Sequence, residues 1–161
     1  MDTITTGAPA CASSCSFKRI NLTTRYPTEF VDLTDQLNEF LAAAGVQAGI
    51  LNVQTLHTTT AVVVNEHEPL LLSDFHACIE RIAPRLAVYN HDDMSRRAEV
   101  GVGEPPNGHA HCRALLLPTA ACLNVVGGRL ALGRWQRVFL VELDGPRTRE
   151  VSVVAVGESA L

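Results

Sequence analysis

The chain has 161 residues, of which 47% are hydrophobic and 19% are charged, and its formal net charge is −4. This size and composition predict one globular domain with its own core and exclude a disordered chain. The negative charge argues against broad binding to nucleic acids or anionic membranes, and no apolar run reaches the ~18 residues of a membrane span.

The N-terminal segment predicts a tail rather than a targeting signal. Residues 1–16 are rich in Ser, Thr and Ala and lack a basic stretch followed by an apolar one. We therefore expect a flexible tail before a single domain at 17–161. The five cysteines include no Cys-x-x-Cys pair, which favours reduced thiols. Together these features predict a cytoplasmic protein.

The first half of the chain predicts a strand, a helix and two central strands. Residues 17–25 alternate weakly between apolar and polar and predict the first strand. Thr28 is expected to cap a helix that ends at Gly45, because apolar residues recur at helical spacing between them. Residues 46–64 are rich in aliphatic and β-branched side chains and predict two buried strands with a bend at 57–60.

The second half predicts a helix, a long loop and several strands. Pro69 suits the first turn of an amphipathic helix that stops at Pro84, and the polar stretch 85–108 is long enough to indicate a functional or mobile loop. A short helix is expected at 109–116. Further strands are predicted at 118–126, 130–132, 138–143 and 149–156. This order of elements predicts an α+β fold with mixed or antiparallel sheets and two main helices on one side.

Three of the six histidines fall at junctions between predicted elements. His57 lies at the bend of the central strands, His91 in the long loop, and His111 at the entry to the C-terminal half. Imidazoles from separate segments suit a divalent-metal site, with Zn²⁺ or Mg²⁺, or an acid–base site. On spacing alone, three unrelated histidines remain the alternative. Asn65 with Glu66 either orients a substrate or caps the following helix.

Sequence templates for the common cofactors are absent. The chain has no GxGxxG segment after a strand, no GxxxxGK[ST] loop and no GxSxG elbow. It therefore predicts neither a nucleotide-dependent dehydrogenase, nor a P-loop ATPase, nor an α/β-hydrolase, and no organic cofactor is expected. The C-terminal part is rich in arginine, which suits bidentate contacts with phosphate or carboxylate, and solvated strand edges are the alternative explanation.

Several segments taken together resemble the YjbQ family, which is often labelled secondary thiamine-phosphate synthase. They are LHTTTAVVVNEHEPLLLSDF at 56–75, YNHDD at 89–93, NGHAHCRALLLP at 107–118, GRLALGRWQ at 128–136 and VELDGPRTREVSVVAVG at 141–157. The likeness extends in order from Phe17 to Gly157 and leaves out only the tail.

The resemblance implies a compact α+β subunit that assembles as a homotrimer, with a polar pocket where the family's histidines converge. It implies catalytic positions at His57, Asn65, Glu66, Asp74 and Arg147, and metal positions at His57, His91 and His111. The ligand that it implies is a phosphorylated small molecule.

Three functional hypotheses follow from these features. The first is a transferase of the thiamine-phosphate synthase type, in which cationic groups stabilise phosphate charge, with Arg134, Arg147 and Arg149 as the candidates. The second is a metal-dependent hydrolase, in which His57, His91 and His111 hold the ion. A carboxylate such as Glu66 would then act as base toward bound water. The third is a ligand-binding trimer without catalysis.

Overall fold

Eight strands and three helices are found in residues 13–101 and 103–159, which are the residues described by a computed structural model. The strands are β1 (Ser13–Thr23), β2 (Glu29–Asp32), β3 (Val46–Thr55), β4 (Thr60–Glu66), β5 (Ala120–Val126), β6 (Arg129–Leu130), β7 (Gln136–Glu142) and β8 (Thr148–Ser159). The helices are α1 (Thr34–Ala44), α2 (Pro69–Ile82) and α3 (Gly108–Leu115). Two single-turn 3₁₀ helices, Asn90–Asp92 and Met94–Arg96, lie in the long loop between α2 and α3.

The strands form two antiparallel sheets. One has five strands in the order β1-β8-β3-β5-β6, and the other has three strands in the order β2-β7-β4. All pairings between the described strands are antiparallel. Of the two predicted arrangements, mixed and antiparallel, the sheets therefore have the antiparallel one. The predicted α+β fold is confirmed, and α3 adds a short third helix to the two main ones.

The central strand of the three-stranded sheet, β7, is buried on both faces, because its alternate residues enter two different hydrophobic clusters. Val138 and Leu140 pack into the larger cluster with α1 and the five-stranded sheet, whereas Phe139 and Val141 pack with α3. Residues two apart share one face of a strand, and both faces of β7 are covered. The four consecutive residues 138–141 are therefore all fully buried. β7 therefore lies between two cores, and Leu143 at the start of the following turn belongs to the smaller one.

The first strand begins at Ser13, earlier than predicted. The tail prediction is therefore wrong for residues 13–16, which pair with 155–158 of β8. β8 is 12 residues long, and its edge supplies hydrogen-bond partners to a segment whose own side chains do not indicate a strand. The rest of the predicted tail, 1–12, lies outside the described residues.

The predicted first helix is a short strand followed by a helix, so its predicted start at Thr28 is wrong. β2 occupies the first part, α1 begins at Thr34, and the left-handed Gly45 (φ 70°) follows its end. The apolar pattern of this segment fits either structure, but pairing with β7 satisfies its backbone groups within the sheet. Asp32 then accepts the Thr34 N–H at 2.9 Å, which favours the start of the helix.

α2 begins at Pro69 as predicted, yet no residue of this helix is buried. Its first turn is capped by Glu68, whose carboxylate accepts the N–H groups of Leu70 and Leu71 at 3.0 and 2.7 Å. The cap is therefore Glu68 and not Asn65, and the helix contacts the core only through partly buried side chains.

The C-terminal end of α2 is joined to α3 through the buried guanidinium of Arg113. Nε of this residue donates to the carbonyl of Ala83 at 2.9 Å and Nη1 donates to Thr28 Oγ1 at 3.3 Å. Nη2 pairs with Glu80 near the end of α2. α2 is thus held by a cap at one end and by a buried arginine at the other.

Composition predicts reduced thiols and no membrane span, and the structure bears on both. Cys15, Cys78, Cys112 and Cys122 have free thiols, as the absence of a paired motif predicts. Among the described residues, no helix is both long and apolar enough to cross a bilayer.

Candidate functional site

A polar cleft of about 540 Å³ opens where four segments meet. These are the bend between β3 and β4, the loop between α2 and α3, the first turn of α3, and the turn between β7 and β8. The titratable or amide side chains that line it are His57, His91, Arg97, Glu104, Asn107, His111, Asp144, Arg147 and Arg149. Such a lining favours a polar, charged ligand.

Four of the predicted site residues line this cleft, namely His57, His91, His111 and Arg147. The rings of His91 and His111 are neighbours, with their centroids 4.7 Å apart. The structure therefore brings together the three histidines that spacing alone leaves unconnected. Their chemical roles stay predictions.

Asn65, Glu66 and Asp74 lie away from the cleft. Asn65 borders an apolar groove beside α2, Glu66 ends β4 opposite Gln136, and Asp74 is exposed on α2. Because β4 is seven residues long, its two ends are ~20 Å apart. Asn65 and Glu66 thus lie at the opposite end of this strand from His57, and their predicted roles stay untested.

A buried ion pair between Glu142 and Arg149 forms the floor of the cleft. Arg149 Nε donates to Glu142 Oε2 at 2.7 Å, and Nη2 donates to Oε1 at 2.5 Å. Nη2 also donates to Thr59 Oγ1 at 3.0 Å. Only 5% of the Arg149 side chain and none of the Glu142 side chain is exposed. Arg149 is therefore engaged in holding the floor, which leaves it little capacity to bind phosphate.

Glu142 also gathers hydrogen bonds from neighbouring segments. Oε1 accepts the N–H groups of Leu143 and Asp144 at 2.9 and 2.8 Å, and Thr24 Oγ1 donates to Oε2 at 2.9 Å. Burial raises the pKa of this carboxyl, but hydrogen bonds from Arg149 and the Asp144 N–H outweigh burial, so the pKa is lowered. The ionised carboxylate thereby holds the turn after β7.

This turn presents Arg147 to the cleft. Arg147 Nε donates to the carbonyl of Asp144 at 2.9 Å, and Nη2 pairs with Asp144 Oδ2 at 2.8 Å. Asn107 Nδ2 donates to the same carboxylate oxygen at 2.9 Å. A guanidinium has five N–H groups and 37% of this side chain is exposed, so donors remain for a ligand. Asn107 Oδ1 is buried without a hydrogen-bond partner among the described residues.

The long loop contributes a linked set made of His91, Arg97 and Glu104. Arg97 Nη1 donates to Glu104 Oε1 at 2.6 Å and the Gly101 N–H donates to Oε2 at 2.9 Å, which together hold the pKa of Glu104 at about 2. His91 Nε2 lies 3.5 Å from Glu104 Oε1, an ion-pair distance that is too long for a good hydrogen bond. Within the described chain this buried nitrogen has no hydrogen-bond partner, so a ligand group could satisfy it.

His57 and His111 are both shifted toward the neutral form. Burial lowers the pKa of His57, and the positive charge of Arg149 adds to this effect. Burial also lowers the pKa of His111, together with the charge of the neighbouring His91. His57 Nε2 accepts the Glu150 N–H at 2.8 Å, which further favours a neutral ring.

One hydrogen bond of His57 bears on the predicted metal set of three histidines. The lone pair on His57 Nε2 is taken by the Glu150 N–H, which places the proton of the neutral ring on Nδ1. Across residues 13–101 and 103–159, no three His, Cys, Asp or Glu side chains converge in a way that could hold a metal ion. His91 and His111 stay candidate ligands, and a divalent ion stays a prediction.

Sequence reasoning missed several residues that shape the cleft. Arg97 and Glu104 lie in a loop without periodicity, where the only signal is the unusual length of the polar stretch. Glu142 is a lone acid within an apolar strand. Since a buried carboxylate requires a partner, this pattern could have indicated a buried ion pair. Arg134, predicted to contact phosphate, lies over Trp135 outside the cleft, with its guanidinium carbon 4.5 Å from the ring centroid.

Comparison with known proteins identifies relatives along nearly the whole chain. A family profile described as UPF0047 protein YjbQ-like matches residues 18–158. A UPF0047 protein of Methanothermobacter thermautotrophicus is 35% identical over 141 residues, which is 88% of this chain and 92% of that protein. A UPF0047 protein of Archaeoglobus fulgidus is 38% identical over 137 residues, which is 85% of this chain and 98% of that protein.

Solved structures resemble this fold as well. A YbjQ-like protein of unknown function from Sulfolobus solfataricus gives a TM-score of 0.82 at 33% identity and covers 91% of this chain and 100% of its own. An uncharacterised protein of the yjbq/upf0047 family from Clostridium acetobutylicum gives a TM-score of 0.75 at 29% identity and covers 86% of this chain and 98% of its own. The names of these relatives state no activity.

Replacement of Glu142 by Gln is expected to lower the free energy of unfolding by about 3–5 kcal/mol, because Arg149 is left buried without its counter-charge. The change is measured by urea unfolding at neutral pH. The matched control is Glu158→Gln, which removes an exposed acid on β8 and should leave stability nearly unchanged. A loss for Glu142→Gln as small as that of the control would contradict a central role for the ion pair.

The stability difference between the wild-type protein and Glu142→Gln is also expected to depend on pH. Because the folded pKa of Glu142 lies below the ordinary value of 4.5, its stabilisation is complete above that value and is lost as the pH falls through the folded pKa. The stability difference between the wild-type protein and Glu142→Gln should therefore shrink on acidification. A difference that stays constant or grows at acidic pH would refute the lowered pKa.

Proposed function

The chain belongs to the YjbQ-like UPF0047 family, and we propose that its cleft binds a small phosphorylated molecule and acts on it. The observation that carries the proposal is the placement of Arg147 and three histidines around one cleft of about 540 Å³. Guanidinium and imidazole N–H groups suit phosphate oxygens, and the size of the cleft is typical of small-molecule sites.

The charges around the cleft support an anionic ligand. Arg97 and Arg147 each pair with one acid, Glu104 and Asp144 respectively, and each keeps further N–H groups in its planar fork. These pairings fix the two guanidinium groups before a ligand arrives. A pre-ordered guanidinium loses less rotamer entropy on binding than a free one.

The reaction that we propose first is a transfer of the thiamine-phosphate synthase type, in which a diphosphate leaves as two phosphorylated halves are joined. Cationic donors suit the charge that develops on a leaving diphosphate. Because the thiazole nitrogen attacks with its lone pair as diphosphate leaves, this step releases no proton and requires no base. Burial lowers the pKa of His111, so its ring would serve as a neutral hydrogen-bonding group. Arg147 and His91 would contact phosphate oxygens, because both carry polar groups that are free within the described residues.

The assay for this reaction supplies the purified protein with a pyrimidine diphosphate and a thiazole phosphate. It is carried out under reducing conditions, because the described cysteines have free thiols, in keeping with the cytoplasmic location that we also propose. Formation of thiamine phosphate would support the transferase. Binding of either compound without turnover would favour a ligand-binding protein without catalysis.

Replacement of Arg147 by Met is expected to weaken pyrophosphate binding about tenfold or more, because a hydrogen bond to a charged group contributes about 1.5–3 kcal/mol. Isothermal titration calorimetry measures the affinity. Arg134→Met is the matched control, since this guanidinium lies over Trp135 outside the cleft. Equal weakening in both variants, or unchanged affinity in Arg147→Met, would count against the proposed site.

A metal-dependent hydrolase is the second candidate, and the closeness of the His91 and His111 rings favours it. For this candidate we expect about one divalent ion per chain in untagged protein. Metal analysis by mass spectrometry should then show the ion lost in His91→Ala and His111→Ala but retained in His57→Ala. Loss in all three variants would restore the set of three histidines, whereas metal-free protein would leave the transfer reaction as the better proposal.

We further propose that the subunit assembles as the homotrimer that the resemblance implies. The supporting feature is an apolar groove between α2 and the three-stranded sheet, to which Phe75, Ile79, Ile82 and Leu117 contribute. Ile82 is 55% exposed here, and no residue of α2 is buried in the isolated subunit. A continuous apolar surface of this kind is typical of a contact between subunits.

Replacement of Ile82 by Lys is expected to convert the trimer to monomers or to lower its stability on dilution, because it places a charge in the apolar groove. Light scattering coupled to size-exclusion chromatography measures the mass. Leu86→Lys is the control, since this residue is 94% exposed and does not border the groove. A monomeric wild-type protein, or an intact trimer in Ile82→Lys, would contradict this contact surface.

A further inference from the structure

The imidazole of His57 takes the place of a backbone carbonyl at the end of a strand ladder. β3 and β8 pair as far as Thr55 and Val151, and the Leu56 N–H still donates to the carbonyl of Glu150 at 3.2 Å. The Glu150 N–H, however, donates to His57 Nε2 at 2.8 Å. The side chain thus completes the ladder where the chain leaves the sheet to form the bend.

This contact determines the tautomer of the ring. A backbone N–H is always a donor, so the nitrogen that it meets must offer a lone pair. His57 Nε2 is that nitrogen, and the neutral ring must then carry its proton on Nδ1. A proton on Nε2 would point at the Glu150 N–H and leave two donors facing each other.

The other nitrogen of the ring is available to the cleft. His57 lines the cleft, and its Nδ1 is neither enclosed nor hydrogen-bonded within the described residues. The ladder contact also restrains rotation of the ring, so the direction of the Nδ1–H bond is set before a ligand binds. A donor that needs no reorientation contributes most where negative charge is bound or develops.

We infer that His57 is a fixed neutral donor that hydrogen-bonds a ligand oxygen through Nδ1–H, and is neither the catalytic base nor a metal ligand. This role rests on the proposed function, since it requires an anionic ligand in the cleft. It separates His57 from His91 and His111, which stay the candidates for contacts with phosphate or with a metal ion. The competing explanation is that His57 only completes the strand ladder.

The tautomer is tested first, on the full chain without ligand. Long-range ¹H–¹⁵N correlation spectra of protein labelled at histidine nitrogen distinguish a protonated Nδ1 from a protonated Nε2, and His57→Gln assigns the signal. We expect a single Nδ1–H tautomer for His57 at neutral pH. A protonated Nε2, or a signal averaged between both forms, would overturn the inference whatever the ligand is.

Two substitutions then separate the donor from the ladder contact. Gln offers a side-chain oxygen that can replace Nε2 beside the Glu150 N–H but offers no donor at the position of Nδ1. Asn places its amide nitrogen near the position of Nδ1 but has no atom that reaches the Glu150 N–H. His57→Gln therefore retains the ladder acceptor, whereas His57→Asn retains the donor.

The readout is the affinity for inorganic phosphate and for pyrophosphate, measured by titration calorimetry. We expect His57→Gln, which lacks the donor, to bind pyrophosphate about tenfold more weakly than the wild-type protein. His57→Asn keeps a donor without the ladder contact, so it should lose less affinity than His57→Gln. Full affinity in His57→Gln, or loss only in His57→Asn, would show that the residue serves the ladder alone. If the wild-type protein binds neither anion, the proposed function fails and the ligand role of His57 fails with it, while the measured tautomer still stands by itself.

Discussion

The candidate site depends on the buried ion pair between Glu142 and Arg149. One enclosed carboxylate accepts hydrogen bonds from the guanidinium, from Thr24 at the end of β1, and from the backbone of the turn after β7. The guanidinium also holds Thr59 at the start of the second central strand. Because a buried charge is costly without its partner, any displacement of these segments separates opposite charges in a poorly solvated interior. The ion pair therefore holds two walls of the cleft, the bend before β4 and the turn after β7, in fixed relation to each other and to the end of β1.

The loop between α2 and α3 is held in a different way, because its apolar side chains Leu86, Val88 and Val100 are exposed and do not pack into a core. Arg97 pairs with Glu104 within the loop, and the Gly108 N–H at the start of α3 donates to Asp92 Oδ1 of the loop at 2.8 Å. Gly108 lies so close to Tyr89 that a Cβ atom would come within 2.5 Å of that side chain. This close approach brings the 3₁₀ turn that carries His91 against the first turn of α3 and so beside His111.

Much of the fold could be predicted because apolar periodicity is a local property. It gave the two central strands, their bend and α2, and it placed His57 at a junction. The start of α1 was misjudged because the segment before it is compatible with both helix and strand, and pairing with β7 decides between them. The partnership of Glu142 with Arg149 requires knowledge of which strands are neighbours, and the residues of the long loop follow no period at all. The family resemblance supplied the convergence of the histidines that spacing could not.

The attachment of α2 has a consequence for the dynamics of the subunit. This helix is held by the Glu68 cap at its start and by Arg113 near its end, and none of its residues is buried. To the hydrophobic clusters α2 contributes only the partly buried Ile79, so we expect it to open locally at a free energy below that of global unfolding, with the separation of Glu80 from Arg113 as a main cost. A neighbouring subunit that covers the helix would remove this freedom. Association would then order α2 as well as bury it, and the gain in order would appear as slower exchange of its amide hydrogens.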